Sequence, residues 1–188
     1  MRPIDVSEVK PIADYEILRP EWRPQMMALK DRRRIRIGGH LTFLFENRET
    51  VRYQIQEMMR IERMQNLREI AHEVATYNEL IPGPGELSAS LLIEYETPEE
   101  RDVWLRALRG LERHVWLETG GLRTPARFDD RQISTERLSA VQYLKFQLTP
   151  EQVAAFPHKA TLVVDHPEYH AEQELTAEQR QELAADFD

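Results

Sequence analysis

Alternating apolar and polar positions in the run RIRIGGHLTFLFE, residues 34–46, predict a β-hairpin early in the chain. A two-residue loop at Gly38 and Gly39 would place isoleucines opposite polar residues. A three-residue loop that includes His40 pairs apolar residues with each other and segregates the polar ones. Because one face must be buried, we expect the three-residue loop, with both glycines at positive φ. The pairs of this register are Ile35–Phe43, Ile37–Leu41, Arg36–Thr42 and Arg32–Glu46.

A 3.6-residue periodicity after the hairpin predicts two consecutive helices, at about residues 48–64 and 67–80. Asn47 suits the N-cap of the first helix, because its side chain can accept from free backbone N–H groups. Asn66 and Glu69 have the spacing of a capping box at the start of the second helix. The run PGPG that follows ends this helix.

Prolines and threonine caps locate the remaining elements. Residues 13–33 are predicted as two short helical pieces divided by Pro20 and Pro24, which suit first-turn positions. Three shorter helices begin at TPEE, TPEQ and TAEQ, each with a threonine N-cap and a Glu or Gln three residues later. Their caps are Thr97, Thr149 and Thr176. Strands are predicted at residues 86–95, 113–118, 140–148 and 159–165.

Helices interspersed with hairpin-type strands, without regular βαβ alternation, indicate an α+β fold. We expect a mostly antiparallel sheet with an N-terminal β-hairpin, two consecutive helices and three shorter threonine-capped helices. We also expect a single domain, residues 1–188, that includes an acidic C-terminal segment at about 166–188.

Composition narrows the function classes. The chain has no cysteine, which excludes disulfides, thiolate catalysis and iron–sulfur ligation through thiolates. No apolar run approaches the roughly 20 residues of a membrane helix, so we expect no membrane partner and a cytoplasmic location. The net charge is −8, and residues 149–188 alone carry −7. The net negative charge makes nucleic-acid binding an unfavoured function. The acidic C-terminal segment can also attract the basic run KDRRRIR at residues 30–36.

A helical wheel divides the first long helix into an apolar and a charged face. The apolar face consists of Val51, Ile55, Met58 and Met59. The opposite side carries Glu49, Arg52, Tyr53, Gln56, Arg60 and Arg63. We expect the charged side, with the adjoining strand, to be a solvated surface or to bind a protein partner or a second copy. The candidate binding residues are Arg34, Arg36, Arg52, Arg60 and Arg63.

Glu62 is the exception to this division, because it lies on the apolar side, four residues after Met58. A buried carboxylate must be paired, hydrogen-bonded or protonated. One interpretation is that the helix ends there and Glu62 reaches water or an arginine. The other is that Glu62 points inward as a catalytic acid.

The run VVDHPEYHAE holds the other candidates. Asp165 and His166 follow two valines at the end of a predicted strand, and His170 lies four residues further on. All three are residue types that can bind metal or transfer protons. Pro167 argues against a helix that would bring the two histidines together. The alternative is a turn in which Asp165 and His166 bond to local backbone.

Several runs together resemble a bacterial family known as domain of unknown function 3501. They are DYEILRPEWR, KDRRRIRIG, LFENRETVRYQIQEMMRIER, YNELIPGPGELSAS and VDHPEYHAE, spread in order over nearly the whole chain. The family has no assigned activity, cofactor or catalytic residues to carry over. The resemblance implies, by gene association, an accessory role in redox or peroxide defence.

Two hypotheses follow. The first is a non-enzymatic protein that binds a partner through the Arg/Glu-rich helix surface. The alternative is a small-molecule or metal-binding enzyme in which Glu62, Asp165 and His166 meet in one pocket. The cofactor is unknown, since no motif in the chain points to one.

Overall fold

Two antiparallel β-sheets pack against each other in the computed structural model, which describes residues 1–134 and 136–187. The strands of the described residues are β1 (Arg34–Ile37), β2 (Leu41–Glu46), β3 (Glu86–Ile93), β4 (Val115–Thr119), β5 (Leu122–Pro125), β6 (Arg127–Phe128), β7 (Val141–Gln147), β8 (Ala160–His166) and β9 (Tyr169–Glu174). The first sheet has the order β1-β2-β3-β7-β6 and the second has the order β5-β4-β8-β9. Every pairing between neighbouring strands is antiparallel.

Helices surround these sheets and complete an α+β fold, as the sequence predicts. The α-helices are α1 (Ile12–Arg32), α2 (Arg48–Glu62), α3 (Leu67–Asn78), α4 (Pro98–Ala107), α5 (Pro150–Ala155) and α6 (Ala177–Ala184). Short 3-10 helices lie at Val6–Glu8, Leu111–Arg113, Asp130–Gln132 and Ala185–Phe187. Thr97, Thr149 and Thr176 cap α4, α5 and α6 as predicted.

The main core lies between the inner faces of the two sheets. It joins residues of both sheets, among them Phe43, Leu91, Leu117 and Leu162. The face of β3 predicted to be buried is indeed buried from Leu87 to Tyr95. A second cluster contains Val51 and Ile55 of α2 and Ile70 and Val74 of α3. These helices cover the outer face of the first sheet.

The hairpin register is confirmed, including the pairs Ile35–Phe43 and Ile37–Leu41. Two details of the prediction are wrong. Gly38 has φ +63°, but Gly39 is not at positive φ. Arg32 does not pair with Glu46, because α1 continues to Arg32 and the strand starts only at Arg34.

The predicted break of residues 13–33 into two helical pieces is also wrong. Both Pro20 and Pro24 lie inside the continuous helix α1. Their positions face solvent, where water can satisfy the carbonyl groups that each proline leaves without a partner. The opposite side of α1 packs on α2, with the Trp22 ring edge-on to both Tyr15 and Tyr53.

Asn47 caps α2 as predicted, and its side chain accepts from the backbone N–H groups of Glu49 and Thr50 at 3.0 Å. Asn66 caps α3 by accepting from Arg68 N–H at 2.8 Å. The expected capping box with Glu69 does not form. Tyr53 and Gln56, assigned to the charged side of α2, are buried because α1 and the N-terminal segment cover them.

The acidic C-terminal segment folds back onto the start of the hairpin. It forms β9, which the sequence did not predict, and then α6. Arg33 is 1% exposed and pairs with the buried Asp186 and with Glu182. The expected attraction between the basic run and the acidic segment therefore occurs within the chain. Asp188, the last residue of the predicted acidic segment, lies outside the described residues.

Within residues 1–134 and 136–187, no helix combines the length and the apolar character of a membrane span.

Candidate functional site

The outer face of the first sheet carries polar side chains beneath α2 and α3. Across β2, β3 and β7, one row consists of Glu46, Ser88 and Lys145. Glu46 is buried and accepts hydrogen bonds from the Thr50 hydroxyl at 2.5 Å and the Ser90 hydroxyl at 2.7 Å. Buried polar groups normally have such partners, and both oxygens of Glu46 follow this rule.

Ser88 departs from this rule. Its side chain is 1% exposed, and its Oγ has no hydrogen-bond partner within the described residues. A buried hydroxyl without a partner lowers the stability of the fold by about 1–3 kcal/mol. A bound molecule that supplies the missing hydrogen bond would recover this free energy.

Ser88 lines a cleft of about 790 Å³ between α3 and the β6–β7 edge of the first sheet. The α3 side contributes Glu73, Thr76, Tyr77, Glu79 and Leu80. The opposite side contributes Arg127, Phe128, Arg131, Tyr143 and Lys145, among others. We call this site the α3–β7 cleft. Its volume is in the range of sites that bind small molecules.

Glu73, on the α3 side of the cleft, is partly removed from water. Burial raises the pKa of Glu73, and the nearby Glu62 raises it further. Burial is also the main cause of the raised pKa values of Tyr77 and Tyr143, so both remain neutral phenols at pH 7. Glu112 also lines the cleft; its Oε1 lies 3.6 Å from Arg113 Nε, and its Oε2 is buried without a partner in the described chain.

The cations of the α3–β7 cleft are already engaged. Lys145 Nζ lies 2.9 Å from Glu86 Oε2 and donates to the carbonyl of Ile81 at 3.2 Å. Arg127 donates to the other oxygen of Glu86 at 2.7 Å. Arg131 pairs with Asp129 at 2.7 Å and also with Glu79.

Glu62 itself is the last residue of α2 and is exposed. The structure thus matches the interpretation in which the helix ends and the carboxylate reaches water. Glu62 lies near Glu73 of α3, whereas Asp165 and His166 belong to β8 of the other sheet. The structure does not bring the three candidate residues together.

Asp165 lies in a polar cluster on the outer face of the second sheet. It accepts from Trp116 Nε1 at 3.0 Å and Arg123 at 3.0 Å, and contacts His114 Nδ1 at 3.1 Å. Burial opposes the ionised form, but these contacts hold the pKa of Asp165 below its ordinary value. His170 is its cross-strand neighbour on β9 and is exposed.

His166 has both ring nitrogens in use. Nδ1 accepts from the backbone N–H of Glu168 at 3.2 Å, so Nε2 carries the proton and donates to the carbonyl of Arg109 at 3.0 Å. His166 therefore holds the β8–β9 turn, as the local-backbone interpretation predicts, whereas Asp165 bonds to side chains distant in sequence and not to local backbone. In the part of the chain that the structure describes, no group of three or more His, Asp and Glu side chains could hold a metal ion.

The five arginines proposed as a binding surface differ in their contacts and exposure. Arg34 pairs with Asp31 at 2.6 Å, and Arg60 pairs with Glu16 of α1 at 2.6 Å. Arg36 and Arg63 are exposed. Arg52 bonds to Glu49 and lies over the Trp22 ring, with 4.9 Å between the guanidinium carbon and the ring centroid.

Sequence reasoning did not identify the α3–β7 cleft. The only sequence signal was the serines at alternate positions of ELSASLLIEY, where a polar face on a buried strand is unexpected. The residues that line the cleft come from segments up to about 70 residues apart, from Glu73 to Lys145, and no local sequence pattern predicts that they lie together.

Comparisons with known proteins agree with one another. A family model described as "Protein of unknown function (DUF3501)" matches residues 3–187. A crystal structure from Burkholderia pseudomallei K96243, described as a novel protein of unknown function, is similar in fold. It shares 30% sequence identity, with 100% of both chains covered and a TM-score of 0.93. A search of curated proteins gives no match.

Proposed function

The chain belongs to the DUF3501 family of proteins of unknown function, and we propose that it binds a small polar molecule in the α3–β7 cleft. The observation that carries this proposal is the hydroxyl of Ser88, buried in the cleft without a partner in the described residues. Natural cores rarely leave such a group unsatisfied unless water, an ion or a ligand completes it.

The lining supports the same function. Leu80 and Phe128 offer apolar contact, while Tyr77 and Tyr143 contribute phenol groups. A concave, mostly apolar site with a few convergent polar groups is typical of small-molecule binding. The altered pKa of Glu73 adds a titratable group of the kind found at functional sites.

Obstruction of the cleft tests this proposal. Thr76 lines the cleft and its neighbour Ala75 does not, yet both are exposed on α3. We expect ligand-observed NMR with a mixture of small polar compounds to show binding to the wild type and to the Ala75→Trp variant. The Thr76→Trp variant should lose that binding, because the indole fills the entrance. Equal binding by both variants, or no binding by the wild type, would contradict the proposal.

A second candidate function is the binding of a protein partner at α1 and α2. A groove of about 250 Å³ there is lined by Leu18, Trp22, Arg52 and Gln56, among others. Leu18 is 41% exposed, and Ile17 beside it is 78% exposed. Arg52 Nε is buried without a partner in the described residues, so a carboxylate from a partner would complete it. An accessory role in redox or peroxide defence, which the family resemblance implies, is one setting for such binding.

A further inference from the structure

We infer that the molecule bound in the α3–β7 cleft is an organic cation, with an ammonium or guanidinium group directed at Glu73 and Ser88. This inference rests on the proposed function and specifies the chemical class of the ligand. Its basis is that the cations of the cleft have partners within the protein, whereas several hydrogen-bond acceptors do not.

The positive charges of the cleft are neutralised within the protein. Lys145 and Arg127 share the carboxylate of Glu86, one on each oxygen. Arg131 is held by two carboxylates, those of Asp129 and Glu79. These carboxylates already offset the positive charge that would attract an anionic ligand to the cleft.

The groups that remain can all accept hydrogen bonds, and two of them are carboxylates. Ser88 Oγ and Glu112 Oε2 are buried and have no hydrogen-bond partner in the described residues. Glu73 is half-buried, and the groups that shift its pKa are burial and Glu62, which raise it, and His72, which lowers it. A ligand that fits these groups must bring hydrogen-bond donors and positive charge. Ammonium and guanidinium groups have both, and neither can act as an acceptor.

The aromatic residues favour the same class. Tyr77 and Tyr143 both line the cleft. The faces of their aromatic rings are electron-rich and attract a cation. A cation near Glu73 would in addition relieve its repulsion from Glu62.

The size of the cleft indicates more than a bare ion. A volume of about 790 Å³ accommodates an organic body next to the charged group. Phe128 and Ile133 supply apolar contact for that body. An alkyl chain that ends in an amine therefore matches both parts of the cleft.

Calorimetric titration with chain-matched probes tests the inference. The probes are 1,4-diaminobutane and agmatine as cations, butane-1,4-diol as the neutral probe and succinate as the anion. We expect the cations to bind the wild type and the other two to bind much more weakly or not at all. The Glu73→Gln variant should lose about tenfold or more in affinity for the cations, because a charge-assisted hydrogen bond becomes a neutral one.

Glu69→Gln is the matched control, since Glu69 is exposed one turn earlier on α3 and does not line the cleft. It should bind the cations as the wild type does. Thermal unfolding of Glu73→Gln should show a fold at least as stable as the wild type, because its burial disfavours the charged carboxylate.

The outcomes separate this inference from the proposed function. If succinate or the diol binds and is lost in Thr76→Trp while the amines do not bind, the inference is wrong and the small-molecule function stands. Equal amine affinity in Glu73→Gln and the wild type would also overturn the inference, as would competition by Mg²⁺ at equal concentration. If neither these probes nor the compound mixture binds, both are overturned.

Discussion

Gly38 shows how one residue can join two distant parts of the chain. The backbone there has φ +63°, and a Cβ would lie 2.2 Å from the hydroxyl of Tyr169. That hydroxyl donates to the carbonyl of Ile37 at 2.7 Å and accepts from the backbone N–H of His40 at 3.1 Å. Tyr169 of the second sheet thus holds the hairpin loop of the first sheet, and only glycine leaves room for it.

We therefore expect Gly38→Ala to lower the free energy of unfolding by about 2–4 kcal/mol, through left-handed strain and the loss of two hydrogen bonds. Gly39→Ala is the control, because nothing lies within 4 Å of its added Cβ and its φ is not positive. Its effect should stay within about 0.5 kcal/mol. Urea unfolding of the two variants measures the difference, and equal effects would show that the Tyr169 contact is unimportant.

At the scale of elements, a half-buried polar contact attaches α1 to α2. Glu57 of α2 accepts from Arg19 at 2.7 and 3.0 Å and from the hydroxyl of Tyr15 at 2.5 Å. The bonds from Arg19, opposed by burial and assisted by Tyr15, hold the pKa of Glu57 below its ordinary value. A carboxyl group whose pKa is lowered by folding stabilises the fold above its ordinary pKa and loses that contribution as the pH falls.

Glu57→Gln should accordingly cost about 1–3 kcal/mol of stability at pH 7, and the difference from the wild type should shrink as the pH falls below about 4. Glu16→Gln is the comparison, because the Glu16–Arg60 pair also joins α1 to α2 but is largely exposed. Its cost should stay below about 1 kcal/mol. Chemical unfolding at several pH values provides the test. A Glu57→Gln deficit that persists unchanged in acid would contradict the assignment.

At the scale of the whole molecule, ion pairs join the two ends of the chain, while a groove at α1 and α2 stays uncovered within the described residues. Arg32 and Arg33 hold the acidic C-terminal segment through Glu182 and Asp186. That contact uses part of the basic run that could otherwise attract a partner. The groove of Leu18, Trp22 and Arg52 has no such cover among the described residues.

If that groove binds a protein partner, Leu18→Asp should abolish the binding, because it places a charge on the apolar contact. Ile61→Asp is the control, since Ile61 is 64% exposed on α2 and does not line the groove. Size-exclusion chromatography with light scattering detects self-association, and a pull-down detects other proteins. Identical behaviour of wild type and both variants would argue against this second function.

Much of the local structure followed from the sequence alone. The hairpin register, the Asn47 cap and the three threonine caps depend on residues only a few positions apart. The same holds for the buried side of β3, since alternation directly reports which face meets the core. The attraction between the basic run and the acidic segment was also readable, because charge acts over distance.

Only the tertiary structure decided the rest. Both prolines remain inside α1 because packing on α2 outweighs their local cost. In the edge strand β9 only Tyr169 and Ala171 pack against the core, so its apolar alternation is too short to predict a strand. Ser88 looked like part of an ordinary strand and Glu73 like part of an ordinary helix. Both residues line one cleft because of the way α3 packs across the sheet, and the spacing of residues along the chain does not predict that packing.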